Sequence, residues 1–240
     1  MEFLSITNHK FWLPTYNKNL TRSNKAIKSA LDQSYNDVNI IVIDDNSTDD
    51  VYSVVKNYKK VQYIKNEKNM GPSYSRNVGI RASNSKYISF LDADDLWCKN
   101  KLESSLKVLD SDSSVGMTCG NYRRLMPNGG LTRPFYTGSI DIGFDSLLKV
   151  NYVASGSVTM RRDVAERAGL FDERFRVCED YALWLSVSKF AKIYYIDEVL
   201  YLYRVVPNGS SITQASGISV VMDNNCKIIR NEVYDKKYIK

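Results

Sequence analysis

The chain has 240 residues, 43% of them hydrophobic and 25% charged, and a formal net charge of +6. This balance excludes a disordered chain, and no stretch reaches the ~18 apolar residues that a membrane-crossing helix needs. The 33 Lys and Arg are spread along the chain, and no zinc-finger, RRM or basic-helix pattern accompanies them, so nucleic acid is not an expected partner.

The N-terminal "MEFLSITNHKFW" has no basic segment leading into a long apolar one, so no secretory leader is expected. "NLTRSNKAIKSALDQSY" carries Ala26, Ile27, Ala30 and Leu31 at helical spacing. "VNIIVIDDN", residues 38 to 46, is a continuous apolar run ending in acids, the pattern of a strand buried on both faces of a parallel sheet. A helix at about 49 to 59, a strand at "VQYIKN", a helix at about 72 to 83 and a strand at 86 to 92 follow. This alternation predicts an α/β layer, whose ligands bind beyond the carboxyl ends of parallel strands.

Beyond residue 98, strands are expected at "VGMTCGNYRRL", "SGSVTMRR" and "KIYYIDEVLYLYRV", with a helix at about 178 to 190. A last helix is expected near 216 to 231. The predicted organisation is one domain over 1–205, with a donor-binding half to about 97 and an acceptor-binding half over 98–205, followed by a helical tail, 206–240. Cys98, Cys119, Cys178 and Cys226 form no CxxC pair and read as reduced thiols, with neither a zinc site nor a disulfide framework.

Acids gather at the predicted strand ends. Ser47 stands three positions before Asp50, which suits a helix cap, but leaves Asp44 and Asp45 unexplained. In "SFLDADDLW", residues 89 to 97, alternation along a strand places Asp92 and Asp94 on one face and Asp95 on the other. Two carboxylates side by side repel unless a cation lies between them, and oxygen ligands suit Mg²⁺ or Mn²⁺, which complete their shells with water and substrate phosphates. Asp94 and Asp95 could instead cap a helix starting near Leu96. In "VCEDYALWLSVSKF", Glu179 and Asp180 fall in the first turn of a helix, where the positive end of its dipole stabilises them. Trp97, Trp184 and the tyrosines could offer ring faces to a sugar, with core packing as the ordinary alternative.

These clusters, with "LPTYN", "GPSYSRNVGI" and "SGSVTMRRDVAERAGLFDERF" in this order, resemble the family 2 glycosyltransferases over about residues 11 to 205. The resemblance implies a GT-A fold, a mostly parallel mixed sheet flanked by helices, and an inverting sugar transfer from a nucleotide-sugar donor, UDP favoured. It further implies that Pro14 and Tyr16 line the base and ribose, that Asp45 hydrogen-bonds the base, and that Arg76 lies near the donor phosphates. Asp92 and Asp94 match the ends of the family's DxD motif, which holds Mn²⁺ or Mg²⁺. Asp180 matches the catalytic base and Glu179 its acidic neighbour, while Trp184, one turn on, would flank the acceptor.

The implied acceptor is a glycan or lipid-linked glycan in surface-polysaccharide assembly. The implied location is cytoplasmic, with peripheral association at the inner face of the plasma membrane. Two departures stand out. "SITNHKFWLPTYN" is polar where the family has an aliphatic run, which predicts a short or distorted first strand, and Val206 replaces a histidine that reaches the metal or diphosphate in many relatives. A sugar-phosphate nucleotidyltransferase would need an N-terminal glycine-rich phosphate loop, which is absent. A noncatalytic sugar or calcium-binding module would not need a base, and EF-hand spacing is lacking.

Overall fold

A computed structural model describes residues 9–15, 20–138, 140–206 and 218–238. An eight-stranded mixed sheet forms its centre, in the order β3-β2-β1-β4-β7-β6-β8-β5. The strands are β1 His9–Thr15, β2 Val38–Asp44, β3 Val61–Lys65, β4 Tyr87–Phe90, β5 Leu96–Trp97, β6 Val115–Leu125, β7 Thr159–Arg161 and β8 Lys192–Arg204. Strands β3, β2, β1 and β4 run parallel. Antiparallel β7 then joins this half to β6, which runs parallel to β8.

Helices flank the sheet: α1 Leu20–Leu31, α2 Val51–Val55, α3 Pro72–Arg81, α4 Lys101–Ser111, α5 Phe144–Lys149, α6 Arg162–Arg167, α7 Glu179–Ser188 and α8 Ile218–Tyr238. The periodic stripe of α1 buries Ala26, Ile27 and Ala30 completely, against a cluster that contains Val38, Ile40 and Val42 of β2. Ile41 and Ile43 point the other way, into a larger cluster with Ile80, Phe90, Trp184 and Ile229. Both faces of β2 are therefore dry, as its unbroken apolar run requires.

Several boundaries differ from the sequence reading. Strand β1 pairs along all seven residues with β2 and along four with β4, so its polar sequence does not distort it; ladder bonds on both edges outweigh weak side-chain propensity. Helix α2 has only five residues and is capped by Asp50, whose Oδ1 accepts from Ser53 N, instead of by Ser47. Asn57 Nδ2 takes the Ser53 and Val54 carbonyls and closes that helix early. No helix starts near Leu96, because Leu96 and Trp97 pair with Leu202 and Tyr201 as β5, and α4 begins at Lys101. In "SGSVTMRR" a 3₁₀ turn, Ser155–Ser157, precedes the short β7.

Candidate active site

Pairing in β4 stops at Phe90, and Asp95 N donates to the Asp92 carbonyl at 3.0 Å. The acids thus lie on a turn, not on alternate faces of a strand, and Asp92, Asp94 and Asp95 all line one cleft. Strand β8 holds the turn from the far end of the chain. The Tyr201 hydroxyl and Arg204 N donate to the Asp95 carboxylate, and Arg204 Nε donates to the Asp94 carbonyl at 2.5 Å. Burial, then the negative charges of Asp94 and Asp92, raise the Asp95 pKa well above the usual carboxylate range.

Arg76, on α3, is buried. Its guanidinium donates to Asp92 Oδ1 at 3.0 Å and to Glu179 Oε1 at 2.5 Å, joining the acids of the β4 turn to those at the start of α7. Burial opposes its charge, but Asp92 and Glu179 outweigh that effect and hold it cationic. Its Nε has no hydrogen-bond partner among the described residues. Glu179 is pushed up to about 7, by burial against the opposing charge of Arg76, with Asp180 adding to the rise.

Asp180 lines the same cleft. Tyr181 N donates to its Oδ1 at 2.7 Å, and the Ser155 hydroxyl to its Oδ2 at 2.5 Å. Two donors fix the carboxylate while its remaining lone pairs can take a proton. Ser155 was missed from the sequence because "SGSVTMRR" reads there as a strand. Gly156, beside it, is required, because a Cβ at that position would run into the Tyr201 ring.

At the other end of the cleft, Asp45 accepts from Met70 N, Gly71 N and Asn66 Nδ2, each at 2.8 Å. Much of its acceptor capacity therefore secures the loop entering α3. Gly71 takes φ +91 there, which a residue without Cβ adopts at no steric cost. Pro14 pairs with Ile43 in β1, whereas Tyr16 lies outside the described residues.

The cleft has a volume of about 770 Å³. Besides the acids and Arg76, Arg124, Arg176 and Arg204 line it; no local motif announced Arg124 or Arg176, whereas Arg204 stands in the "LYR" segment that the family resemblance includes. Trp184 does not. It is completely buried among core residues, with Phe90 and Phe171 as ring neighbours, so its expected place beside an acceptor is corrected. Helix α7 is apolar on several sides, and the residue one turn after Asp180 faces the core. Trp97 is also core, its Nε1 donating to Gly156 O. Val206 is buried and does not line the cleft.

Among the described residues no three His, Cys, Asp or Glu side chains form a ready-made metal cage. Asp92 and Asp94 fit a cation of another kind: a hard divalent ion that takes one or two protein carboxylates and draws its other oxygens from water and a phosphate ligand. After burial, the charges of Asp94 and Asp92 raise the Asp95 pKa, so these carboxylates stand close enough to repel one another.

The family model described as Glycosyl transferase family 2 matches residues 11–169. An uncharacterised glycosyltransferase of Rickettsia conorii is 30% identical over 99% of this chain, which spans 39% of that relative's length. The Escherichia coli UDP-Glc:alpha-D-GlcNAc-diphosphoundecaprenol beta-1,3-glucosyltransferase WfaP is 29% identical over 75% of the chain and 70% of its own length. Staphylococcus aureus TarS, solved with UDP-GlcNAc, superimposes with a TM-score of 0.73 at 20% identity, over 92% of this chain and 65% of that one. The Pyrobaculum calidifontis mannosyltransferase PcManGT, solved with GDP-Man and Mn²⁺, gives 0.68 at 18%, over 84% and 58%. The architecture is the GT-A fold. Among the described residues no helix is long and apolar enough to cross a membrane.

Proposed function

Because the chain belongs to glycosyl transferase family 2, we propose that it moves a sugar from a UDP-sugar to an acceptor hydroxyl with inversion at the anomeric carbon. The observation that carries this reading is the bridge from Asp92 through the buried Arg76 to Glu179, which gathers the β4 turn and the start of α7, with Asp180, around one cleft.

Asp180 is the general base. The acceptor oxygen attacks the anomeric carbon as its proton passes to the Asp180 carboxylate, and the bond to the diphosphate breaks with its electron pair leaving on the diphosphate oxygen. Proton removal of this kind contributes roughly 10²- to 10⁴-fold. Ser155 and Tyr181 N hold the base in line, and Arg76 offers the departing phosphate a fixed positive charge. Asp94 and Asp92 would hold Mn²⁺ or Mg²⁺, which when bound stabilises charge on the leaving diphosphate. With Trp184 in the core, the polar and cationic rim that includes Arg124 and Arg176 is left to face the acceptor. A glycan linked to a lipid diphosphate fits that rim and parallels the acceptor named for WfaP, in the synthesis of a surface polysaccharide at a membrane.

Calorimetry and transfer assays with UDP-sugars and Mn²⁺ test the assignment. Asp94→Ala should lose metal-dependent donor binding. Asp180→Asn should keep donor binding and lose transfer by at least about 10²-fold. Transfer by Asp180→Asn at the parent rate would remove the proposed base.

A further inference from the structure

Two of the four cysteines, separated by 48 residues of sequence, meet at the wall of the cleft. Cys226 Sγ lies 3.3 Å from Cys178 Sγ, and both residues line the cleft. Cys178 is buried at the N-cap of α7, directly before Glu179 and Asp180. It holds a left-handed φ of +65, a conformation uncommon outside glycine, and its carbonyl accepts the bond from Ala182 N that opens the helix. Cys226 stands half-buried on α8, whose Ile229 is anchored in the main core and whose Asn225 Nδ2 donates to Val177 O. Cys98 and Cys119 have no such neighbour sulfur among the described residues.

We propose that Cys178 and Cys226 form a dithiol modification site, closed to a disulfide by low-molecular-weight disulfides and reopened by excess thiol, whose closed form disables the cleft. A bonded pair needs its sulfurs at ~2.05 Å, so they must approach by about 1.3 Å. The elements carrying them are packed, and the movement falls on the residue next to the acids of α7. Misplacement of a reacting group by about 1 Å can cost 10²-fold in rate.

The more accessible thiol, Cys226, attacks the small disulfide, forms a mixed disulfide and releases one small thiol. Cys178 then attacks the Cys226 sulfur, the mixed bond breaks and a second small thiol leaves. The two cysteines lose two electrons and two protons, which the oxidant carries away as its two thiols. Burial, and then the hydrogen bond with Cys226, raise the Cys178 pKa, so Cys178 holds little thiolate and enters second, once the mixed disulfide on Cys226 stands beside it.

The linkage stands on the geometry alone, and its effect on transfer rests on the proposed function. The test incubates the full chain with oxidised glutathione, then maps peptides by mass and measures sugar transfer before and after dithiothreitol. The expected product is a 178–226 linked peptide pair lighter by two hydrogens, with Cys98 and Cys119 still open to alkylation, transfer lowered at least tenfold, and recovery on reduction. Cys226→Ser should give no linked pair, and its transfer should not respond to the oxidant. Glutathione adducts without linkage, equal reaction of all four thiols, or a linked protein that transfers within twofold of the reduced one would each overturn the proposal. A reduced protein without transfer on any donor would sink the transferase reading, with the linkage then judged by mass alone.

Discussion

Glu179→Gln removes a buried carboxylate while keeping its shape, and its consequence can be worked from the site. The carboxyl titrates near its ordinary 4.5 in the unfolded chain and is pushed up to about 7 in the native one. Between those values the native state binds the extra proton. The stability this carboxyl contributes is therefore complete below about pH 4.5 and is lost as the pH rises through about 7. Fully ionised, it costs the native protein about 3 kcal/mol relative to its protonated form, of which about 2.5 kcal/mol develops between pH 5 and 8. Solvent screening does not erase this, because Glu179 is buried and faces Arg76.

The neutral amide of the Glu179→Gln variant would carry no such dependence. Urea denaturation of both proteins at intervals from pH 5 to 8 reads the effect as a difference, which cancels the contributions of Asp95 and Lys101, raised and lowered by their own burial. The variant should gain on the parent by about 2.5 kcal/mol across that range. A difference constant within about 0.5 kcal/mol, below the effect of a single pKa unit, would refute the picture of a buried, proton-hungry carboxyl.

Two other substitutions test the geometry. Ser155→Ala should lower kcat about tenfold with the donor KM unchanged, since the hydroxyl orients the base without binding the nucleotide, and Ser155→Thr should recover most of the rate; a loss confined to donor KM would assign Ser155 to the donor instead. Gly156→Ala forces a methyl into the Tyr201 ring and should cost about 1–3 kcal/mol, measured as a lower urea midpoint; an unchanged midpoint would mean the ring moves aside freely.

The parallel half of the fold was legible because buried strands and amphipathic helices write themselves locally, as in "VNIIVID" and in Ala26, Ile27 and Ala30. The acids at positions 92, 94, 179 and 180 were legible as clusters, and the structure brings them to one cleft. Their supports were not. Asp95 is held by Tyr201 and Arg204, more than a hundred residues away, and Arg76 joins two acids that are 87 positions apart in sequence, relations no periodicity encodes. Trp184 shows the opposite failure. Helical spacing put it over Asp180, but α7 buries residues around much of its circumference, so spacing alone could not say which side met solvent.

The placement of β1 carries a practical consequence. The least strand-like of the parallel segments is the slat wedged between β2 and β4, and it comes from the amino end of the chain. Trimming the first fifteen residues would unzip the middle of the sheet and bare two sticky, largely apolar flanks, Val38–Asp44 and Tyr87–Phe90, each a template for a stranger's backbone. Shortened versions would be expected to clump, while tags at the carboxyl end would leave that seam closed.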